Sequence, residues 1–393
     1  MKYTILILAF LFVAAIGQAQ STIITRDVVY AKVNGMDLKL DIYHPDTSKV
    51  LPVVFWVHGG AWVEGDKSSA SYPAAALARK NIACVGVQYR LSGTAKWPAQ
   101  INDCKGAIRF IKANSQKYHI DTTRIGAWGS SAGGHLVALL STSTDLWNTK
   151  EFTVGSTTMN IEGVVGGNLN YTSKVHAVCD WFGPSDFLRM NDEPTSIDHL
   201  SEGSPESQLL GCPVLDCIEK VTLANPIHYI TPDDAQFLIM HGDQDNTVPH
   251  IASVILDSAL RANHVTSELR TITGAGHGFS QNWLDTAAEF FQRRFYSDTT
   301  TSAIQQLDEY GISISAFPNP TNGSSTITIN NSRTESFFIK VIDVLGRVIE
   351  EYPLGLLPNG RHETLINLKM RSQVYYVMVE GDAHRKILPL IVR

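Results

Sequence analysis

This 393-residue chain has no excess of positive charge and only a few cysteines, and long apolar runs are missing from almost all of it. Lys and Arg together number 32, whereas Asp and Glu number 38, so the formal net charge is −6 at pH 7. Such a chain has no general attraction for phosphate backbones, and we expect no nucleic-acid partner. Hydrophobic residues still make up 44% of the sequence, which is enough for a sizeable core. The length predicts one large and one small domain.

The one apolar run of note is N-terminal. Lys2 supplies a positive start, residues 5–16 form an apolar segment too short to span a bilayer, and Ala19 is a small residue suited to cleavage. This pattern predicts a signal peptide over residues 1–19 and an exported, soluble mature protein. A buried N-terminal helix is the alternative interpretation.

Cysteine is scarce, with five residues in the chain. Because this number is odd, at least one thiol is free or paired with another chain. Export makes disulfides permissible. Cys212 and Cys217 lie close together in a stretch with Gly and Pro, and no histidine or second cysteine pair is nearby to complete a zinc site. We therefore predict a small disulfide-closed loop, buried free thiols at Cys84, Cys104 and Cys179, and neither a metal nor a cofactor.

Short apolar runs alternate with helical patterns over residues 22–295, which predicts an α/β fold with a doubly wound, mostly parallel sheet. Ligands bind outside the carboxyl ends of the strands in such sheets. The predicted strands cover residues 52–57, 82–87, 125–128, 175–181, 237–240 and 269–272, and the predicted helices cover residues 72–80, 99–115, 251–262 and 283–295. Residues 148–171 and 191–217 are predicted insertions over the sheet end, and either a lid or ordinary solvent loops would fit them.

The composition of the sequence becomes polar near residue 297. A polar linker is predicted over residues 298–313, between a catalytic domain of residues 20–297 and a small all-β sandwich of residues 314–393. The sandwich is predicted from alternating, strand-like runs over residues 324–330, 337–344, 374–379 and 387–392, with turn signals between them. This tail carries no cluster of His, Asp or Cys suited to catalysis.

The most informative motif is G-x-S-x-G over residues 129–133. Only Ser131 fits the frame, because Ser130 would need glycine where Trp128 and Ala132 stand. A strand-like run precedes the motif and a helix-like run follows it, so a sharp turn would expose the serine hydroxyl. An ordinary helix start is the alternative for this pentapeptide alone.

A serine nucleophile needs a histidine base, and the histidine needs an acid to orient it. His277 lies in a glycine-rich loop after the last predicted core strand, and it is our candidate base. Asp245 is the candidate acid, with Asp243 as the fallback. The order Ser, Asp, His along the chain is that of doubly wound hydrolases.

A second glycine-rich turn, HGGAW at residues 58–62, follows a predicted strand. Its backbone N–H groups at Gly60 and Ala61, together with that of Ala132, form a candidate oxyanion hole. Read by itself, the stretch would be no more than a tight turn.

These motifs together resemble those of an α/β-hydrolase of the carboxylesterase group that includes hormone-sensitive-lipase-like enzymes. CDWFGP at residues 179–184, QLLG at 208–211 and ANP at 224–226 are similar to its bacterial feruloyl-esterase-like branch. The resemblance covers residues 25–296. It implies Ser131, His277 and Asp245 as the triad, with Ala61 at an oxyanion position where many relatives carry glycine.

The tail resembles a second family. FPNP at residues 317–320, DVLGR at 343–347 and VYYV at 374–377 look like the C-terminal sorting domain of the type IX secretion system, which belongs to the Bacteroidota. The resemblance implies that the tail is an address recognised by the secretion machinery, and that it is cleaved at or after passage through the outer membrane.

The sequence thus predicts a secreted serine carboxylesterase that removes feruloyl or acetyl esters from plant cell-wall polysaccharide. An acyl-peptide hydrolase or amidase, and a catalytically silent surface-binding protein, are the alternatives. Four aromatic residues near the motifs either form a platform for an aromatic ring or sugar, or serve in the core; they are Trp62, Trp181, Phe182 and Phe279.

Overall fold

The computed structural model describes residues 22–144, 151–296, 313–317, 324–331, 333–343, 347–367, 373–381 and 385–392. The predicted signal peptide, and the predicted linker apart from Ser313, lie outside these residues. The chain divides into two compact units, residues 1–294 and 295–393. Within the part of the chain that is described, no helix is long and apolar enough to cross a membrane.

The first unit is built on one eight-stranded sheet. The strands of this sheet are β1 to β5, which are Ile23–Val33, Met36–His44, Leu51–Val57, Ala83–Val87 and Ile120–Ser130, and β8 to β10, which are Ala177–Trp181, Gln236–Gly242 and Ser267–Ile272. Strands β6 (Phe152–Val154) and β7 (Thr157–Met159) form a small separate hairpin. The spatial order is β1-β2-β4-β3-β5-β8-β9-β10. From β4 to β10 every neighbouring pair is parallel, whereas β1 and β2 run antiparallel.

Strands β3, β4 and β8 are buried at every residue, which explains their unbroken apolar sequences. The helices are α1 to α8: Ser71–Ala78, Ala99–Ala113, Ser115–Tyr118, Ala132–Thr142, Pro205–Leu210, Ile218–Ala224, Ile251–Ala262 and Gln281–Tyr296. Helix α4 packs on β5 and β8, and α7 packs on β9 and β10. The predicted mostly parallel α/β sheet is therefore confirmed.

The antiparallel strands β1, at the edge of the sheet, and β2, beside it, are absent from the strands that the sequence predicts. In β1 only Tyr30 and Ala31 are buried, and apolar residues such as Ile23, Ile24 and Val29 are exposed, so the strand shows no regular alternation of a buried and an exposed face. The two strands pair from Ile23 opposite His44 to Val33 opposite Met36, with two register shifts. Pairing of this kind depends on the neighbouring strand, so the pattern of residues within β1 alone does not predict it.

The described part of the first insertion, residues 151–171, is tied to helix α2 by buried charges. The Glu162 carboxylate accepts a hydrogen bond from Arg109 and forms an ion pair with Lys105 at 3.0 Å. Both basic side chains are almost completely buried. Arg109 also donates to the carbonyl oxygens of Val165 and Gly167, so this segment is anchored at several points.

Replacement of Glu162 with alanine is expected to lower the free energy of unfolding by about 3–5 kcal/mol, because two buried cations would lose their partner. Urea denaturation of the full chain measures the change. The matched control is alanine at the exposed Glu202, which is expected to change stability by less than about 0.5 kcal/mol. Equal stability of the two variants would contradict the anchoring role.

The second unit contains two antiparallel sheets. Its strands β11 to β17 are Ser313–Phe317, Ser324–Asn331, Glu335–Ile342, Val348–Leu357, Gly360–Asn367, Gln373–Gly381 and Arg385–Val392. One sheet has the order β11-β12-β15 and the other β14-β13-β16-β17. Side chains of both sheets, such as Ile327 and Ile366 from the first and Ile339 and Val377 from the second, share one buried core. The predicted small β domain is confirmed.

Three strands of this unit, β11, β14 and β15, lie outside the runs that the sequence predicts. Strand β14 shows the reason, because it is largely exposed and includes Glu350, Glu351 and Pro353. Charges and proline argue against a strand when the sequence is read alone.

Candidate active site

Ser131 lies at the turn between strand β5, which ends at Ser130, and helix α4, which begins at Ala132. Its backbone has φ 54° and ψ −123°, a conformation that costs free energy for any residue with a side chain. The Ser131 N–H donates to the carbonyl oxygen of Trp181 at 2.8 Å, and the Ser131 carbonyl accepts from His135 at 3.1 Å. The turn is thus held by the neighbouring strand and by the first turn of α4.

The glycines of the motif are required by close backbone packing. A Cβ on Gly129 would lie 2.3 Å from the carbonyl oxygen of Gly133, and a Cβ on Gly133 would lie 2.0 Å from that of Val57. Strand β3, strand β5 and helix α4 meet here too closely for any side chain. The G-x-S-x-G spacing therefore follows from the geometry of the turn.

The structure brings Ser131, His277 and Asp245 into one hydrogen-bonded chain. His277 Nε2 lies 3.0 Å from Ser131 Oγ, and His277 Nδ1 lies 2.7 Å from Asp245 Oδ2. A carboxylate only accepts, so Nδ1 carries the proton and Nε2 of the neutral ring is free to accept from the serine hydroxyl. These are the contacts that a nucleophile, its base and an orienting acid require.

Asp245 is held in its ionised form. Its Oδ1 accepts hydrogen bonds from the backbone N–H groups of Thr247 and Val248, at 2.8 and 3.0 Å. Burial raises the pKa of this carboxyl, but hydrogen bonds from His241 and His277 outweigh burial and hold the pKa well below its usual range. The negative charge that orients His277 is therefore present throughout the ordinary working range of pH.

Asp243, the fallback acid, does not contact His277. Its Oδ1 accepts a hydrogen bond of 2.7 Å from the N–H of Gly274, in the loop that carries the histidine. Gln244 adds a backbone hydrogen bond to the carbonyl of Ala275 at 2.9 Å. Asp243 therefore ties the two loops together, while Asp245 makes the contact with the imidazole.

The candidate oxyanion donors lie beside Ser131. Ala61, Ser131 and Ala132 line the same cavity, and a Cβ on Gly59 would lie 3.3 Å from the Ser131 Cβ. Among the described residues, the N–H groups of Gly60, Ala61 and Ala132 have no protein acceptor. Free N–H groups beside a nucleophile are suited to a developing negative charge on a carbonyl oxygen.

The aromatic residues near the site are mostly packing residues. Trp62, Trp181 and Phe182 are at most 5% exposed, which leaves little surface for a sugar or an aromatic ring. The Phe182 ring centroid lies 4.7 Å from that of His277, so this side chain supports the imidazole. Phe279 is half-buried against Trp181 and Phe182.

Sequence reasoning missed one buried pair beside the site, His199 and Glu206. His199 Nδ1 lies 2.9 Å from Glu206 Oε1, and its Nε2 lies 2.9 Å from the carbonyl oxygen of Thr247. Burial opposes a charge on His199, but the hydrogen bond to Glu206 raises its pKa above the usual value. No local motif marks these residues, because their role depends on how the second insertion folds back on Thr247.

The cysteines are arranged in two ways. Cys212 and Cys217 form a disulfide bond in the structure. Cys84, Cys104 and Cys179 are buried free thiols, and burial raises the pKa of each. The disulfide closes a short loop after helix α5 in the second insertion.

Asp180 is a buried carboxyl directly behind the nucleophile turn. Its Oδ1 accepts from the N–H of Gly183 at 2.9 Å, while Oδ2 has no hydrogen-bond partner among the described residues. Burial raises its pKa from 3.8 to about 7, although the Gly183 hydrogen bond acts in the opposite direction. The folded protein therefore holds a proton on Asp180 over a pH range in which the unfolded chain releases it.

For this reason, the free energy of unfolding of the wild-type protein is expected to fall with rising pH relative to that of an Asp180→Asn variant. Between about pH 4 and pH 7 the folded state binds the extra proton, so each unit of pH lowers the relative free energy of unfolding by about 1.4 kcal/mol. Urea denaturation at several pH values measures the difference, with the exposed Asp233→Asn as control. A difference between wild type and Asp180→Asn that stays constant with pH would refute the assignment.

A mostly parallel sheet that presents a serine on a strand-to-helix turn, with a histidine and an aspartate from later strand ends, defines the α/β-hydrolase class. The BD-FAE family model matches residues 40–260, so the chain belongs to the BD-FAE family. A second family model, described as a secretion system C-terminal sorting domain, matches residues 315–393. The chain therefore joins an α/β-hydrolase domain to a sorting domain.

Individual relatives agree with this assignment. Esterase LipC of Mycobacterium tuberculosis is 31% identical over 235 residues, which are 59% of this chain and 54% of the relative. The chain spans about half the length of the curated relatives it matches. Among solved structures, a truncated carbohydrate esterase from gut microbiota is 33% identical with a TM-score of 0.64, covering 70% of this chain and 98% of that one. A bifunctional GH43-CE protein of Bacteroides eggerthii is 39% identical with a TM-score of 0.63, covering 69% of this chain and 38% of that one.

Proposed function

We propose that this protein is a secreted serine carboxylic-ester hydrolase. The observation that carries the proposal is the hydrogen-bonded chain from Ser131 Oγ through His277 to Asp245, beside three free backbone N–H groups. Relatives of the matched region are named esterases and carbohydrate esterases, which supports the same chemistry.

The reaction proceeds in two halves. Ser131 Oγ attacks the ester carbonyl carbon as its proton passes to His277 Nε2, and the carbonyl oxygen becomes an oxyanion facing the N–H groups of Gly60, Ala61 and Ala132. The bond to the leaving alcohol oxygen then breaks, and His277 returns the proton to that oxygen. Water repeats the sequence on the acyl-enzyme, releasing the carboxylic acid and restoring Ser131.

The substrate is an ester decoration of plant cell-wall polysaccharide, with a feruloyl or an acetyl group as the acyl part. Named carbohydrate esterases among the similar structures support a saccharide alcohol. The sorting domain supports export through the type IX secretion system of a bacterium of the Bacteroidota, after a signal peptide over residues 1–19 directs the first membrane passage.

The test uses the purified full chain on acetylated xylan, methyl ferulate, 4-nitrophenyl acetate and 4-nitroacetanilide, with Ser131→Ala in parallel. We expect ester cleavage that the variant lacks, and slower or no cleavage of the anilide. Faster anilide cleavage would favour an amidase, and a folded protein that cleaves none of them would indicate a binding protein.

A further inference from the structure

The cavity that opens beside Ser131 is lined mostly by apolar side chains, with few polar ones. Ser131 and the oxyanion positions Ala61 and Ala132 line it, and the second insertion contributes His199 and Glu206. The ester group of a substrate must reach Ser131 Oγ, so substituents next to the ester come close to the polar atoms of this cavity. A small number of such atoms usually fixes the orientation of a ligand in a mostly apolar site.

Glu206 supplies an acceptor that no described protein group satisfies. Its Oε1 lies 2.9 Å from His199 Nδ1, whereas its Oε2 has no hydrogen-bond partner among the described residues. Glu206 is only 1% exposed, so bulk solvent does not freely hydrate this oxygen. A buried acceptor without a partner costs free energy, and a ligand group that donates to it recovers that cost.

The hydrogen bonds of His199 show that this acceptor is charged. His199 Nε2 lies 2.9 Å from the carbonyl oxygen of Thr247, and Nδ1 faces the Glu206 carboxyl group. Carbonyl and carboxylate oxygens only accept, so the ring makes both hydrogen bonds when each of its nitrogens carries a proton. The ring is then a cation that pairs with Oε1, and Oε2 is a carboxylate oxygen without a partner of its own. Hydrogen bonds to charged groups are stronger than those between neutral groups.

Trp62 adds an unsatisfied donor to the same cavity. Its Nε1 is buried and has no hydrogen-bond partner in the described part of the chain. The ring is 1% exposed and packs against His135 and Phe187, so its polar contribution to the cavity is the N–H group. A hydroxyl group both donates and accepts, and it therefore matches a cavity that offers a free acceptor and a free donor.

We infer that Glu206 is a specificity-determining residue that accepts a hydrogen bond from a free hydroxyl group next to the ester. This inference rests on the proposed function, since it assigns a recognition residue to the same reaction. A sugar ring carries such a hydroxyl on the carbon beside the acylated one. The enzyme therefore selects esters whose neighbouring ring position is unsubstituted.

The experiment measures kcat/KM of the full chain for cyclohexyl acetate and trans-2-hydroxycyclohexyl acetate, which differ by one hydroxyl group beside the ester. We expect wild type to prefer the hydroxy ester by at least about tenfold, because a site built to bond a hydroxyl discriminates strongly against an analogue that lacks it. Glu206→Gln is expected to reduce this preference about tenfold, because the amide keeps an oxygen for His199 but presents no charged acceptor to the cavity. Glu202→Gln is the matched control, since Glu202 is an exposed glutamate of the same insertion and lies outside the cavity.

A third ester, trans-2-methoxycyclohexyl acetate, separates recognition from a merely structural role. Its ether oxygen cannot donate to the carboxylate, but it can accept from the amide that Glu206→Gln introduces. We therefore expect the variant to gain on the methoxy ester relative to the hydroxy ester. A Glu206 that only supports the wall of the cavity would, when replaced, lower kcat/KM for all three esters alike.

Equal kcat/KM values for the hydroxy ester and cyclohexyl acetate in wild type would overturn the inference, and this comparison needs no variant that might fail to fold. Unchanged ratios in folded Glu206→Gln would overturn the role of Glu206. Cyclohexyl glycolate carries its hydroxyl on the acyl part, and a larger gain with that ester would also overturn the inference. A protein that cleaves 4-nitrophenyl acetate without any hydroxyl preference keeps the proposed function, whereas one that cleaves no ester overturns both.

Discussion

Replacing Ser131 with alanine is expected to lower kcat by about 10⁶-fold, which in practice removes measurable ester hydrolysis. The reason is that no acyl-enzyme can form without the Oγ atom, which lies 3.0 Å from the only histidine nitrogen placed to accept its proton among the described residues. The measurement is kcat on 4-nitrophenyl acetate with the full chain.

Ser130→Ala provides the matched control. Ser130 is the neighbouring serine, at the last position of strand β5, and the ring nitrogens of His277 are bonded to Asp245 and Ser131 instead. We expect this variant to retain activity within about tenfold of wild type. Comparable losses in the two variants would contradict the assignment of Ser131 as the nucleophile.

Asp245→Asn is expected to lower kcat by about 10⁴-fold while the protein stays folded. An asparagine can donate to Nδ1, which stabilises the wrong tautomer of His277 and leaves Nε2 protonated and unable to accept from Ser131. The imidazolium formed during the reaction would also lose the charge that stabilises it.

Asp243→Asn separates this effect from a general change in charge. Asp243 accepts from the Gly274 N–H, and asparagine can still accept there, so we expect less than about a tenfold loss. If Asp243→Asn were the more damaging of the two, the fallback acid would be the true partner of His277. Both variants are compared with wild type by kcat and by thermal unfolding.

The sequence predicted those parts of the molecule that depend on local rules. Glycines at 129 and 133 are needed because β3, β5 and α4 meet too closely for side chains, so the turn leaves a readable pattern around Ser131. The ends of parallel strands meet at one edge of a sheet, which is why motifs after β3, β5, β9 and β10 could be expected to converge.

Long-range packing decides what the sequence could not predict. Asp243 and Asp245 both follow the end of β9 within three residues, and only the folded loops distinguish the residue that contacts His277 from the residue that contacts Gly274. The pair of His199 and Glu206 carries no motif, because its position depends on the second insertion reaching Thr247. The edge strand β1 was missed for a similar reason, since β2 supplies its pairing partner.

The proposed ester hydrolysis depends most on Ser131 being an activated nucleophile. The most direct measurement is to treat the full-length protein with a fluorophosphonate and to locate the adduct by peptide mass spectrometry, with His277→Ala as the comparison. We predict one adduct, on Ser131, formed rapidly in wild type and far more slowly in the variant. A folded wild-type protein that forms no adduct, or forms it on another serine, would contradict the account.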